Sequence, residues 1–125
     1  MKGFLLVCLG GALGSGGRYL VVLLWTRLVP LAFPVGTLTV NLLGSFAIGL
    51  LMSLAQRWSA WTPNLQLALV TGVLGGFTTY SAFSFETLAL LHRGAFLSAG
   101  LYVASSLVVG LLATAGGWQL GQGLL

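Results

Sequence analysis

The fold is decided by residues 72–85, which read GVLGGFTTYSAFSF and lie inside an apolar stretch long enough to cross a membrane. A helix that faces lipid must satisfy its backbone amides internally, so two adjacent glycines followed by a run of hydroxyl side chains are costly there. Polar, broken backbone at membrane depth is typical of segments that line a cavity or an ion site.

Composition and length predict a membrane protein with a single domain. The 125 residues are 58% hydrophobic and 5% charged, whereas about a quarter of the residues in a typical globular chain are charged. Four apolar segments, at about 3–27, 34–56, 65–91 and 95–121, each exceed the ~20 residues that cross the hydrocarbon core. We therefore expect an all-α integral membrane protein in which four transmembrane helices, the third one broken, fill residues 1–125.

The four basic residues near the ends of the predicted spans are divided equally between the two membrane faces. Lys2 and Arg57 flank one membrane face, whereas Arg27 and Arg93 flank the other. Because the positive-inside rule depends on a difference between the faces, this chain has almost no preferred orientation. The balance favours an antiparallel, dual-topology homodimer, and a single orientation set during insertion is the alternative. Since these charges are scattered singly, they exclude a nucleic-acid-binding patch.

Glycine spacing predicts close contacts between helices. The small-xxx-small spacing, which lets two backbones approach, occurs in three pairs: Gly10 and Gly14, Gly72 and Gly76, and Gly117 and Gly121. The connections between the apolar segments are short, so successive helices are expected to be antiparallel neighbours. Prolines lie in these connections, where a missing amide donor costs least, at positions 30, 34 and 63.

Two polar side chains inside the first two spans need partners. Arg18 lies well inside the first span, where a central arginine costs at least ~2.5 kcal/mol on insertion scales. It either faces protein, water or an anion, or snorkels toward the nearer interface. Asn41 lies in the second span, with Thr37 and Ser45 one turn away on either side. Its amide offers two donors, either to an anion or to an interhelical hydrogen bond.

The third and fourth spans carry a further set of polar residues. Tyr102 and Ser106 lie one turn apart in the fourth span, where the row either lines a wet path or bonds to neighbouring helices. Glu86 is the only acid. It either belongs to a pathway or is a structural carboxylate, paired with Arg18 or Arg93 or bound by the hydroxyl groups of Tyr102 or the serines. With no second carboxylate and no metal-ligand spacing, we do not expect an enzyme.

Three motifs together resemble the Fluc (CrcB) family of fluoride channels. They are GGALGSGGRY at 10–19, GTLTVNLLGSFAIG at 36–49 and GVLGGFTTYSAF at 72–83, in the order of the family's first three helices. The resemblance implies passive, fluoride-selective export from the cytoplasm by an antiparallel dimer with two pores. It also implies a bacterial inner membrane and a structural sodium ion at the dimer interface.

The same resemblance implies roles for individual residues. Asn41 is expected to donate to fluoride in the pore, and Tyr80 and Phe83 to form an aromatic box. Gly75 and Thr78 are expected to bind sodium through their backbone carbonyls. The other implied pore residues are Thr37 and Arg18 near the vestibule, and Ser81, Glu86, Tyr102 and Ser106 along a polar track.

Two positions depart from the family pattern. Phenylalanine is usual where Tyr80 stands, and threonine where Ala82 stands. Tyrosine keeps the electropositive ring edge that attracts an anion, but its hydroxyl either hydrogen-bonds fluoride or obstructs the path.

A small multidrug exporter would need an acid in the first span, which instead carries Arg18. A structural subunit would not explain Asn41 together with the broken third span.

Overall fold

The computed structural model describes residues 1–29 and 32–124, and the regular elements in these ranges are all helical. Within these ranges, four helical segments are long and apolar enough to span a membrane, which confirms the four predicted spans. Pro30, predicted to lie in the first connection, falls outside the described residues. In chain order the elements are α1 (Lys2–Leu28), α2 (Val35–Arg57), α3 (Pro63–Gln66), a π-helical stretch (Leu67–Leu74), α4 (Gly75–Phe77), α5 (Tyr80–His92) and α6 (Phe96–Leu124).

The third span is interrupted at two threonines. Thr78 (φ −84°, ψ 158°) and Thr79 (φ −151°, ψ 116°) are extended and separate α4 from α5. The predicted break is confirmed, but the glycines at 75 and 76 are still helical. Gly76 instead permits close packing, since a Cβ there would lie 3.1 Å from the Cα of Gly11 in α1.

The π-helical stretch leads directly into the interruption. At its end the Gly75 N–H bonds to the carbonyl of Val70, five residues back, as well as to that of Gly72. Such wide turns are rare in proteins and are frequently found at functional sites. The third span therefore departs from regular α-helix both before and at its break.

The first and third spans pack closely through glycine. A Cβ on Gly10 would lie 3.0 Å from the Cα of Gly72, and one on Gly14 would lie 2.8 Å from the nitrogen of Phe77. Any side chain at these positions would push the backbones apart. The predicted role of this glycine spacing in helix contact is confirmed.

The second and fourth spans form the other close contact. A Cβ on Gly117 would lie 2.9 Å from the nitrogen of Leu50, and one on Gly121 would lie 2.7 Å from the Cβ of Ser53. Successive helices touch, as predicted. The most extensive packing, however, joins α2 to α6 and α1 to the π-helical stretch and α4. Glycine-lined faces, more than chain order, therefore select the main helix pairs.

Large apolar side chains cover the outside of the bundle. Phe4, Leu13, Phe85 and Leu97 are each more than two-thirds exposed, at 68%, 72%, 71% and 77%. The buried positions are occupied mainly by glycine and other small residues. This distribution suits a protein surrounded by lipid, where helices associate through close contact of small residues.

A glycine turn brings α6 back alongside α5. Gly94 has φ 72°, in the left-handed region that glycine adopts without strain. The N–H groups of Gly94 and Ala95 donate to the carbonyls of Leu91 and Leu90 at 3.0 and 2.9 Å, which is the Schellman pattern for a helix end. The turn sets the position of Tyr102 relative to α5.

We expect Gly14→Ala to lower the free energy of unfolding by about 1–3 kcal/mol, because the new Cβ would overlap the Val73 carbonyl oxygen. Gly16→Ala is the matched control, since a Cβ at Gly16 on the same helix would meet nothing within 4 Å. Equilibrium unfolding in mixed detergent micelles measures both variants. Equal losses of stability would contradict a packing role for Gly14.

Candidate functional site

The Asn41 side chain joins α2 to the interruption of the third span. Its Oδ1 accepts a hydrogen bond from the Thr79 N–H at 2.8 Å, and its Nδ2 donates to the Thr79 carbonyl at 3.0 Å. An interhelical hydrogen bond, one of the two alternatives for Asn41, is therefore present. A primary amide carries two N–H groups, so one of them remains for a second acceptor.

The two threonines at the break end one helix and begin the next. The N–H and the hydroxyl of Thr78 both donate to the Leu74 carbonyl at 3.0 Å. Thr79 caps α5, because its Oγ1 accepts a hydrogen bond from the Ala82 N–H at 3.3 Å. Sequence reasoning missed Thr79, although a threonine directly before an apolar helical run is a recognised capping signal.

Four aromatic rings form a row beside the break. The ring centroids are 5.7 Å apart for Tyr80 and Phe83, 5.2 Å for Phe83 and Tyr102, and 5.6 Å for Tyr102 and Phe33. The predicted pair Tyr80 and Phe83 is thus in contact. Tyr80 is 80% exposed, whereas Tyr102 is fully buried. Phe33 was missed, since a phenylalanine in a connection carries no signal of its own.

The carboxylate of Glu86 receives two hydrogen bonds from hydroxyl groups. The Thr37 hydroxyl donates to Oε1 at 2.8 Å, and the Tyr102 hydroxyl donates to Oε2 at 2.7 Å. Of the partners that the sequence left open, Tyr102 is confirmed; the Nε of Arg93 donates instead to the Ala89 carbonyl at 3.3 Å. Each hydroxyl has a single hydrogen, so those of Thr37 and Tyr102 are both directed at Glu86.

An open cleft of about 390 Å³ lies against the break. The Oγ of Ser106 is buried on its wall and has no hydrogen-bond partner within the described ranges of the chain. Ser45, one turn beyond Asn41, also lines the cleft. Six of the predicted site residues line it together: Asn41, Gly75, Thr78, Tyr80, Phe83 and Ser106.

A second cleft of about 440 Å³ opens between the end of α1 and the start of α2. Its walls include the predicted residues Thr37 and Glu86, together with Trp25 of α1. A chain of contacts joins it to the first cleft, because Glu86 bonds to Tyr102 and the Tyr102 ring packs against Phe83.

Three predicted pore residues line neither cleft: Tyr102, which is buried and contacts Glu86 and Phe83, and the pair Arg18 and Ser81. Arg18 is half-buried on α1, and Ser81 is exposed in the first turn of α5, with its Oγ 3.4 Å from the Thr79 hydroxyl. Across residues 1–29 and 32–124, no three His, Cys, Asp or Glu side chains come together as a metal site. The predicted sodium ligands are of another kind, the backbone carbonyls of Gly75 and Thr78.

The family of the chain follows from its similarity to known proteins. The family model described as CrcB-like protein, Camphor Resistance (CrcB), matches residues 5–118. The chain is 49% identical over 119 residues to a protein of Agrobacterium fabrum, covering 95% of both chains. It is 49% identical over 115 residues to one of Anaeromyxobacter dehalogenans, covering 92% of this chain and 90% of the relative. It is 45% identical over 125 residues to one of Chelativorans sp., covering all of both. Each of these relatives is named a fluoride-specific ion channel FluC, and the chain belongs to the CrcB family.

Proposed function

We propose that this chain is a fluoride-selective channel that exports fluoride passively from the cytoplasm. The observation that carries the proposal is the first cleft, where the Asn41 amide and the Phe83 ring lie at the interruption of a membrane-spanning helix. The names of the matched relatives support the same function. Fluoride that enters a cell as its neutral acid would leave through such a channel as the anion.

Neutral donors suit the conduction of a small anion. An anion that enters a medium of low dielectric constant loses a large hydration free energy. The pore must replace part of that energy without binding the ion too strongly to release it. The second N–H of Asn41 and the electropositive edge of Phe83 meet both needs. The Ser106 hydroxyl, buried on the same wall, adds a third neutral donor.

Glu86 belongs, in this proposal, to the entrance of the route. Its negative charge opposes the approach of an anion, and the two hydroxyl donors from Thr37 and Tyr102 offset part of that charge. These hydrogen bonds also hold the carboxylate at the second cleft, away from the Asn41 amide. On the family resemblance alone, Arg18 remains assigned to the vestibule and Ser81 to the polar track.

We further propose that two copies form an antiparallel, dual-topology homodimer in the inner membrane, with two pores. The equal division of basic residues between the two membrane faces supports this arrangement. Tyr80 supports it too, because a phenol that is 80% exposed in one chain at membrane depth needs protein or water around its hydroxyl. A second copy over the first cleft would supply that surrounding.

The same interface would hold the proposed structural sodium ion. Gly75 and Thr78 fit such an ion, since Thr78 lies in the interruption, Gly75 begins the short helix α4 directly before it, and both line the same cleft. Their carbonyls are hard, neutral oxygen ligands, the kind that suit a small cation. Two opposed copies would contribute two carbonyls each.

Purified protein in liposomes is expected to release fluoride rapidly and without proton coupling. Asn41→Asp, which replaces donors by a charge, and Phe83→Ile, which deletes the ring edge, should each reduce the flux roughly 10- to 100-fold. Tyr80→Phe keeps the ring and should keep conduction. A fluoride electrode measures the efflux, with the exposed, lipid-facing Leu97→Ala as control. Unaltered flux in both Asn41→Asp and Phe83→Ile would remove these residues from the pore, and proton-coupled drug exchange would favour an exporter.

Both orientations are expected to coexist in one membrane, because the basic residues near the span ends are balanced. Accessibility of a terminal tag should report a mixture. Two or three lysines added to one loop should force one orientation and abolish activity, and a variant of the opposite orientation should restore it. A single orientation of every wild-type molecule would refute the antiparallel dimer.

A further inference from the structure

The two carbonyls assigned to sodium have lost their helical donors to side chains. In a continuous α-helix each carbonyl accepts from the N–H four residues later, so Gly75 would accept from Thr79, and Thr78 from Ala82. Here the Thr79 N–H donates to Asn41 Oδ1 at 2.8 Å, and the Ala82 N–H donates to Thr79 Oγ1 at 3.3 Å. Both N–H groups thus bond to a side chain, and the two carbonyls lose their helical partners.

We propose that Asn41 and Thr79 are positioning residues of the carbonyl cation site. Asn41 binds the Thr79 N–H, which would otherwise donate to the Gly75 carbonyl. Thr79 binds the Ala82 N–H through its hydroxyl, and that N–H would otherwise donate to the Thr78 carbonyl. Neither side chain has to touch the ion. This inference rests on the proposed sodium site, and it assigns the construction of that site to two side chains.

The argument depends on what an unpaired N–H group does at membrane depth. Without water, such a group must find another acceptor nearby. If Asn41 loses its Oδ1, the carbonyl of Gly75 is the acceptor that restores a regular helical turn for Thr79. If Thr79 loses its hydroxyl, the Thr78 carbonyl becomes the corresponding acceptor for Ala82. Either of these new backbone hydrogen bonds extends a helix into the break and removes one cation ligand from each chain.

Asn41 would then serve two sites with different atoms. Its Oδ1 keeps the Gly75 carbonyl free, whereas the second hydrogen on Nδ2 serves the anion cleft. Substitution separates these roles, because Asp retains an acceptor for the Thr79 N–H and lacks both amide donors. Leu has nearly the shape of Asn and lacks the acceptor as well as the donors.

The test is the sodium dependence of dimer stability, with N-methylglucamine as the replacement cation. Wild type, Asn41→Asp and Thr79→Ser, which keep the acceptors, should be stabilised by sodium. Thr87→Ala is the matched control, because its hydroxyl bonds only within α5, to the Phe83 carbonyl at 2.8 Å. In Asn41→Leu and Thr79→Ala the sodium concentration for half-maximal stabilisation should rise about fivefold or more, as expected for the loss of one capping hydrogen bond.

A spectroscopic readout tests the positioning role separately from activity. The carbonyl ¹³C shift of Gly75, measured without sodium, should indicate no hydrogen bond in wild type and in Asn41→Asp, and a hydrogen bond in Asn41→Leu. An identical shift in all three proteins, or an equal sodium response of Asn41→Leu and Asn41→Asp, would overturn the positioning role even where sodium stabilises the dimer. A wild-type dimer indifferent to sodium would instead overturn the proposed cation site and, with it, this inference.

Discussion

The paired hydrogen bonds between the Asn41 amide and the backbone N–H and carbonyl of Thr79 stabilise the interruption of the third span. A primary amide offers the same donor and acceptor as a peptide unit, so its Oδ1 replaces the helical acceptor of the Thr79 N–H and its Nδ2 adds a donor to the Thr79 carbonyl. In hydrocarbon, the extended Thr79 without this partner would have a costly unpaired N–H group. The start of α5 depends on this pair, and the first two turns of α5 carry Tyr80, Phe83 and Glu86.

A few side-chain contacts join α5 to α2 and α6. Phe83 and Glu86 lie three residues apart and therefore on one helix face. Phe83 packs against Tyr102, and Glu86 bonds to both Tyr102 of α6 and Thr37 of α2. One carboxylate thus connects three helices, while the same helix face carries an aromatic ring to the first cleft. The two clefts share this set of contacts.

Much of the fold could be predicted from the sequence, because the signals are local. Span length and glycine spacing predict the four helices and their close contacts, and the hydroxyl run predicts the break. The partner of Asn41 could not be predicted, because Thr79 lies 38 residues away and the contact depends on tertiary packing. The glycines at 75 and 76 could not fix the exact position of the break, because glycine permits both a bend and close packing, and here it packs. The π-helical stretch Leu67–Leu74 has no recognised sequence signal. The surroundings of the Arg18 side chain could not be predicted beyond its place within a span, since a long flexible side chain can turn to either side.

The apolar exterior of the bundle has a thermodynamic consequence. When a water-soluble domain unfolds, newly hydrated apolar surface raises the heat capacity by ~12–15 cal/mol/K per residue. When these helices separate within a bilayer, the small-residue faces that join α1 to α4 and α2 to α6 pass from protein to lipid, and little apolar surface meets water. A plot of the free energy of unfolding of this protein against temperature should therefore have little curvature, with no cold-unfolding branch. Its temperature response would be governed by contact enthalpy and lipid order.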